Sequence, residues 1–219
     1  MGTFQTYFPV WGNLTANQQR MLLDGVTVRS AQKGMVLHNG AADCVGLFLL
    51  KSGQLRAYIL SDEGKEVSLY RLFERDMCLF SGSCIMSSIQ FDIAIEAEKD
   101  TSLWVIPAAV YKRLMNESAA VANYTNQLMA ARFSDVMWLM DQVLFKNVDE
   151  RLAAFLLSER NIEQSDKLLI THEKVAQHLG TAREVVTRML KYFQSEGMVT
   201  LSRGGIVIAD SGKLGALVK

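Results

Sequence analysis

Between Val26 and Ile106 the chain falls into short apolar-rich runs, among them Leu47-Phe48-Leu49-Leu50, Leu55 to Leu60 and Val67 to Leu72. Lys51-Ser52-Gly53-Gln54 and Ser61-Asp62-Glu63-Gly64 separate them, polar clusters with the glycine that tight turns favour. Regularly punctuated short strands predict an all-β roll or barrel. Ahead of it, Thr15 to Leu23 predicts a short helix, with Leu14, Met21, Leu22 and Leu23 as its apolar residues.

From Pro107, which suits the first turn of a helix, to Asn161 there is neither glycine nor a second proline, and good helix formers abound. A long helical region is expected there. Met129, Phe133, Val136, Met140 and Val143 recur at spacings of four, three, four and three, and Ala122 and Asn126 extend the pattern backwards. This is a heptad seam of about three repeats, the pattern by which two helices pack against each other. A helix lying on its own roll produces the same stripe. Leu152, Phe155 and Leu156 mark a further helix that starts near Val148.

The segment His172 to Lys191 carries a more specific pattern. Ala176 stands where two helices approach and only a small side chain fits, Gly180 where a left-handed residue ends the first helix, and Val186 on the inward face of the second. Val175, Leu179, Met189, Leu190 and Phe193 complete the small core of a helix-turn-helix spanning roughly 171–197. Thr181-Ala182-Arg183-Glu184 reads as a capping box that starts the second helix. With the apolar positions inside, Arg183, Glu184, Thr187 and Arg188 face outward near the helix N-terminus, the end that a recognition helix puts into the major groove. Arginine can pair with guanine and glutamate can accept from cytosine. Met198 to Leu201 and Ile206 to Ile208, joined through Ser202-Arg203-Gly204-Gly205, predict a hairpin wing with Arg203 at its tip, placed to meet phosphate.

Composition agrees with a folded protein: 219 residues, 49% of them hydrophobic, allow one large or two ordinary domains. Lys plus Arg equals Asp plus Glu at 23 each, so DNA affinity has to come from local patches. From Ser165 onward eight basic residues stand against five acidic ones, a difference of +3, and the tail is the more basic part. No secretory leader is evident, and the apolar run Cys44 to Leu50 falls far short of the roughly 20 residues of a membrane span, so a cytoplasmic protein without a membrane partner is expected. Cys44, Cys78 and Cys84 are odd in number and irregular in spacing, which argues against a disulfide framework. There is no His-x-His ligand pair, no Gly-x-Ser-x-Gly elbow and no phosphate-binding Gly-x-x-x-x-Gly-Lys loop, so an enzyme is not expected.

The order of roll, long helix and winged helix-turn-helix resembles the Crp/Fnr family of bacterial regulators along nearly the whole chain. The sharpest matching residues are Arg183-Glu184 and Arg188 in Ala-Arg-Glu-Val-Val-Thr-Arg, similar to the recognition helix of that family's cyclic-AMP receptor branch. Arg151-Leu152-Ala153 leading into Phe155-Leu156-Leu157, and Gly53 and Gly64 at the roll's turns, are similar too. The resemblance implies an α+β fold: an N-terminal β-roll (jelly-roll, cyclic-nucleotide-binding-like) over 1–117, a long dimerisation helix over 118–147 and a winged helix-turn-helix over 148–219. It implies a homodimer reading an inverted repeat of TGTGA-like half-sites in duplex DNA, with Thr171, Thr181, Arg183, Glu184, Thr187, Arg188 and Arg203 at the DNA. Met129, Phe133, Val136, Met140 and Val143 would lie at the dimer interface, and RNA polymerase would be a further partner. Thr187 departs from the glycine or serine of relatives. A module whose helix-turn-helix serves protein interaction is the alternative.

Members that bind cyclic nucleotides carry a Gly-Glu pair and then Arg-Ser or Arg-Thr to hold the phosphate, whereas Asp76 to Phe91 has neither glutamate nor arginine. An anionic phosphate without a cationic partner would be poorly compensated, so cyclic AMP is not expected as effector. Three cysteines cannot hold a four-iron cluster by themselves, and His38, the one histidine outside the helix-turn-helix, does not make a haem site. Cys78 and Cys84 could form a reversible disulfide or share a soft metal, or be small buried hydrophobes. Met77, Phe80, Met86 and Phe91 offer instead a cavity wall for a weakly polar small molecule.

Overall fold

The computed structural model describes residues 3–40, 45–85 and 92–218, with the side chains of 83–85 outside that description. The chain divides into two compact units, one of residues 1–60 and 69–136, the other of 61–68 and 137–219.

The first unit starts with helices α1 (Phe4–Tyr7) and α2 (Ala16–Gly25), followed by strands β1 (Thr27–Ala31), β2 (Val36–Asn39), β3 (Leu47–Ser52), β4 (Leu55–Leu60) and β5 (Glu66–Leu72). β6 (Met77–Cys78), a 3-10 turn at Phe80–Ile85, β7 (Ala94–Ala97) and β8 (Thr101–Ile106) complete two four-stranded sheets, ordered β1-β8-β3-β6 and β2-β7-β4-β5. Paired strands run antiparallel, for example Phe48 opposite Val105 and Ala57 opposite Ile95. Phe48, Leu50, Leu55, Ala57, Leu72, Ile95 and Leu103 fill the space inside the roll. Leu47, Leu49, Trp104 and Ile106 point to the other side, where Phe4, Phe8 and Leu22 cover them. β3 is thus buried on both faces, which explains why its sequence is continuously apolar rather than alternating. Gly53 ends β3 at φ +92°, and a Cβ there would sit 2.7 Å from the Cα of Thr101, so the expected turn glycine is required by space as well as by backbone.

The helix expected near Thr15 is α2, with a capping box of Thr15 and Gln18. The long helical region is three helices: α3 (Ala108–Glu117), α4 (Ala119–Phe145) and α5 (Val148–Glu163), interrupted at Ser118 and before Asn147, the N-cap of α5. The first half of α4 belongs to the roll unit, because Val121 and Thr125 are buried and the Thr125 hydroxyl meets that of Tyr111 at 2.8 Å. No described helix is long and apolar enough to cross a membrane.

In the second unit α5 is followed by β9 (Lys167–Leu168), α6 (His172–Leu179), α7 (Arg183–Ser195), β10 (Val199–Ser202), β11 (Gly205–Ile208) and α8 (Ser211–Leu217). Leu152, Leu156, Val175, Leu179, Val186, Leu190, Phe193, Ile206 and Leu214 share one core. Residues 61–68 belong to this unit, where the Ser68 hydroxyl lies 2.9 Å from Nδ1 of His178.

Candidate nucleic-acid interface

α6 and α7 form because each has one apolar stripe and a signalled end. Thr171 is the N-cap of α6, its hydroxyl accepting from the Lys174 amide. Gly180 closes the helix in the left-handed region at φ +63°, while Arg151 donates to the carbonyl of Leu179. Ala176 is buried between the helices, as its size requires. α7 buries Val186, Leu190 and Phe193 at a helical spacing of four and three.

The capping box expected at Thr181 and Glu184 does not form. The amide of Thr181 is used in ending α6, donating to the Ala176 carbonyl, so α7 starts one residue later with Ala182 as its N-cap and no side-chain cap. Glu184 remains in the first turn, where a carboxylate complements the helix dipole.

Of the four residues expected to face outward, Arg183, Glu184 and Arg188 are exposed and Thr187 is half-buried. Together with Lys191, one turn further along, these four residues line one shallow concavity. Lys191 is absent from the residues picked out by motif, although its spacing of three from Arg188 and four from Thr187 puts it on the same face. A second groove joins Ile170, Thr171, His172, Glu173 and Arg183 to Ser202, Gly204 and Gly205 of the hairpin. There Nδ1 of His172 lies 3.0 Å from the Thr187 hydroxyl. Burial, and next the nearby Arg183 charge, hold the imidazole below its ordinary pKa.

The wing pairs Val199 with Ile208 and Ser202 with Gly205, so its loop is the two residues Arg203-Gly204. Gly204 has φ +78°, which a two-residue hairpin demands, and Arg203 is exposed at the tip. β9 adds a third strand on β11, Leu168 opposite Ile206, which the sequence reading missed because two residues are too short to show a period. Thr181 is half-buried beside the turn.

Of the seam on α4, Phe133, Met140 and Val143 are exposed at 69, 48 and 51%. Met129 and Val136 are half-buried, and Met129 packs against both clusters of its own roll. In the roll, Met77, Cys78 and Phe80 are all buried, but they do not line one wall. Cys78 and Phe80 face the interior while Met77 packs outside it with Leu47, Leu49 and Trp104, because successive strand residues point to opposite faces. The side chain of Cys84 and the whole of Met86 and Phe91 lie outside the described residues. Burial pushes the Cys78 thiol up from its ordinary pKa. Two interior residues were not foreseen: the Tyr70 ring, 6.1 Å from that of Phe80, and Arg132 of α4, whose guanidinium sits 4.5 Å over it.

A helix-turn-helix whose second helix presents Arg, Glu, Thr and Arg, flanked by a wing and preceded by a roll, defines a sequence-reading DNA-binding regulator. Residues 150–217 match the family model of the Crp-like helix-turn-helix domain. A crystal structure of a transcriptional regulator of the Crp/Fnr family from Eubacterium rectale is 59% identical, with a TM-score of 0.95, over 97% of this chain and 98% of that one. The chain belongs to the Crp/Fnr family of transcription regulators. Electron transport regulator A of Shewanella oneidensis is 25% identical over 93% of this chain and 84% of its own length. The fumarate and nitrate reduction regulatory protein of Salmonella typhimurium is 27% identical over 89% and 80%.

Proposed function

We propose that this regulator works in the cytoplasm as a homodimer, each subunit placing Arg183, Glu184, Thr187 and Arg188 in the major groove of one TGTGA-like half-site of an inverted repeat. The observation that carries this reading is the single exposed face on which those four side chains and Lys191 meet. Thr171, Thr181 and Arg203 flank that face and would hold phosphates. Arg183 and Arg188 would pair with guanines and Glu184 with a cytosine. Full-length protein titrated against such a repeat, with half-sites about one helical turn apart, is expected to bind it far more tightly than a scrambled duplex of equal length. Equal affinities for the two duplexes would favour a protein-interaction role for the helix-turn-helix.

Dimerisation would use the exposed apolar positions Phe133, Met140 and Val143, with Val136 between them, whereas Met129 serves its own roll. Large apolar side chains so exposed on one helix call for a covering surface, and a parallel copy of the same seam provides one. The double replacement Phe133→Asp and Met140→Glu is expected to turn a dimer into a monomer in sedimentation velocity. An unchanged sedimentation coefficient would place the dimer contact elsewhere.

The signal is a small molecule taken into the roll, not cyclic AMP and not thiol oxidation. Arg132 Nε is buried without a hydrogen-bond partner among the described residues, so a ligand with an acceptor group would be compensated there. A buried thiol with a raised pKa is a poor nucleophile. DNA affinity is therefore expected to be equal in fully reduced protein and in protein exposed to mild oxidant. A severalfold change abolished by Cys78→Ser would establish a redox signal instead. Once bound near a promoter, such a dimer would contact RNA polymerase, as the family resemblance implies.

A further inference from the structure

His172 was not among the residues that sequence motifs picked out, yet it stands at the junction of the site. It is the first residue of α6, it shares a groove of about 440 Å³ with Thr171, Arg183 and the wing residues Ser202, Gly204 and Gly205, and it meets the Thr187 hydroxyl at 3.0 Å. Resting on the reading of this unit as a DNA reader, we propose that His172 is a positioning and charge-supplying residue of the interface, orienting Thr187 for base reading and taking up a proton as the phosphate backbone docks.

The positioning half follows from the hydrogen bond. Thr187 stands on the face read as base-reading, and a free threonine side chain would sample more than one rotamer there. Its contact with Nδ1 ties the hydroxyl to α6, so the threonine enters the groove already oriented and less side-chain freedom is lost on binding.

The charge half follows from what surrounds the ring. The charged groups that line its groove are Glu173 on its own helix and Arg183 on α7, with Ser202, Gly204 and Gly205 from the wing. Burial, and next the Arg183 charge, disfavour the protonated imidazole. Docked DNA adds a dense array of negative phosphates and offsets the Arg183 charge, so the same ring favours its protonated form in the complex. A group with a higher pKa in the complex than in the free protein tightens binding as pH falls between those two values. Hydrogen bonding to Thr187 survives this change, since the hydroxyl donates to a neutral Nδ1 and accepts from a protonated one.

Two substitutions separate the halves. Glutamine can keep a hydrogen bond to Thr187 but cannot be protonated, and alanine does neither. Full-length protein, His172→Gln and His172→Ala are titrated from pH 8 to pH 6 with the inverted repeat and with a random duplex, at low salt, where phosphate contacts alone hold a duplex. Wild-type affinity for both duplexes is expected to rise at least about fivefold more than that of either variant across this range, the linkage limit being about tenfold per pH unit per proton taken up. At pH 8 the glutamine protein should still discriminate base changes at the Thr187 step, and the alanine protein should do so severalfold less well. An equal pH slope in wild type and His172→Gln overturns the proton uptake. Unaltered discrimination by His172→Ala overturns the positioning. A pH-linked, His172-dependent rise on both duplexes with no preference for the repeat would leave the charge role standing while the half-site assignment fails, and absence of binding to either duplex would sink the DNA-interface reading and this proposal together.

Discussion

Alanine in place of Arg183 or Arg188 is expected to weaken binding to the inverted repeat by roughly 1–3 kcal/mol per base-reading arginine, about fivefold to 150-fold, and to relax discrimination at the base pair it faces. Both side chains are exposed on the outward face of α7, and neither belongs to the core of the unit. The loss therefore measures the DNA contact rather than a damaged fold. A bidentate guanine contact is directional, so lysine should not restore it. Arg203→Ala provides the contrast: as a phosphate contact it should weaken all duplexes alike, and its loss should reduce the salt slope by about 1. Competition titrations with single-base variants of the repeat decide the matter. If both arginine variants lost affinity uniformly over all sequences, the base-reading assignment would be wrong and these residues would be phosphate contacts.

Phe193→Ala is expected to destabilise the C-terminal unit by about 3–5 kcal/mol, the usual cost of emptying a fully buried aromatic site. Phe193 is wholly inaccessible and joins Leu190 and Val186 of α7 to Leu152 and Leu156 of α5 and to Val175 of α6. Removing the ring leaves a void at the point where the three helices meet, and such a void closes only partly. Its neighbour Tyr192 is 48% exposed with its ring 6.1 Å away, and Tyr192→Ala should stay within about 0.5–1 kcal/mol as a mostly solvated position. Denaturant unfolding of the full chain, followed by circular dichroism, separates the two. Equal effects would mean that the core of this unit is not organised around α7. Because DNA reading needs only the outward face, Phe193→Ala should also lower affinity through the fraction unfolded and leave base preference unchanged at low temperature.

The reading unit was legible because its determinants are local. Ala176, Gly180 and Val186 each answer a constraint set within one or two turns of helix, and the structure puts them where those constraints apply. The capping box failed for an equally local reason. Two helices compete for residue 181, and closing α6 around a left-handed Gly180 wins, the amides of Gly180 and Thr181 both donating to the Ala176 carbonyl.

The amino-acid sequence by itself determined the succession of roll, helical region, helix-turn-helix and wing, the turn glycines and the outward face of α7, since all of these depend on periodicity and backbone preference over a few residues. Tertiary structure alone decided what each apolar position packs against. Met129 and Phe133 are one turn apart on α4 and share a stripe, yet Met129 joins the roll and Phe133 stays exposed, although Arg132 beside it still lies over Tyr70 of the roll. Met77 and Cys78 are adjacent and equally buried, yet they enter different cores, since a strand directs successive side chains to opposite faces. The pairing of His172 with Thr187 and of Tyr70 with Arg132 also needed the folded chain. Residues 15 and 62 positions apart carry no shared period, and only the packing of one element on another sets their distance.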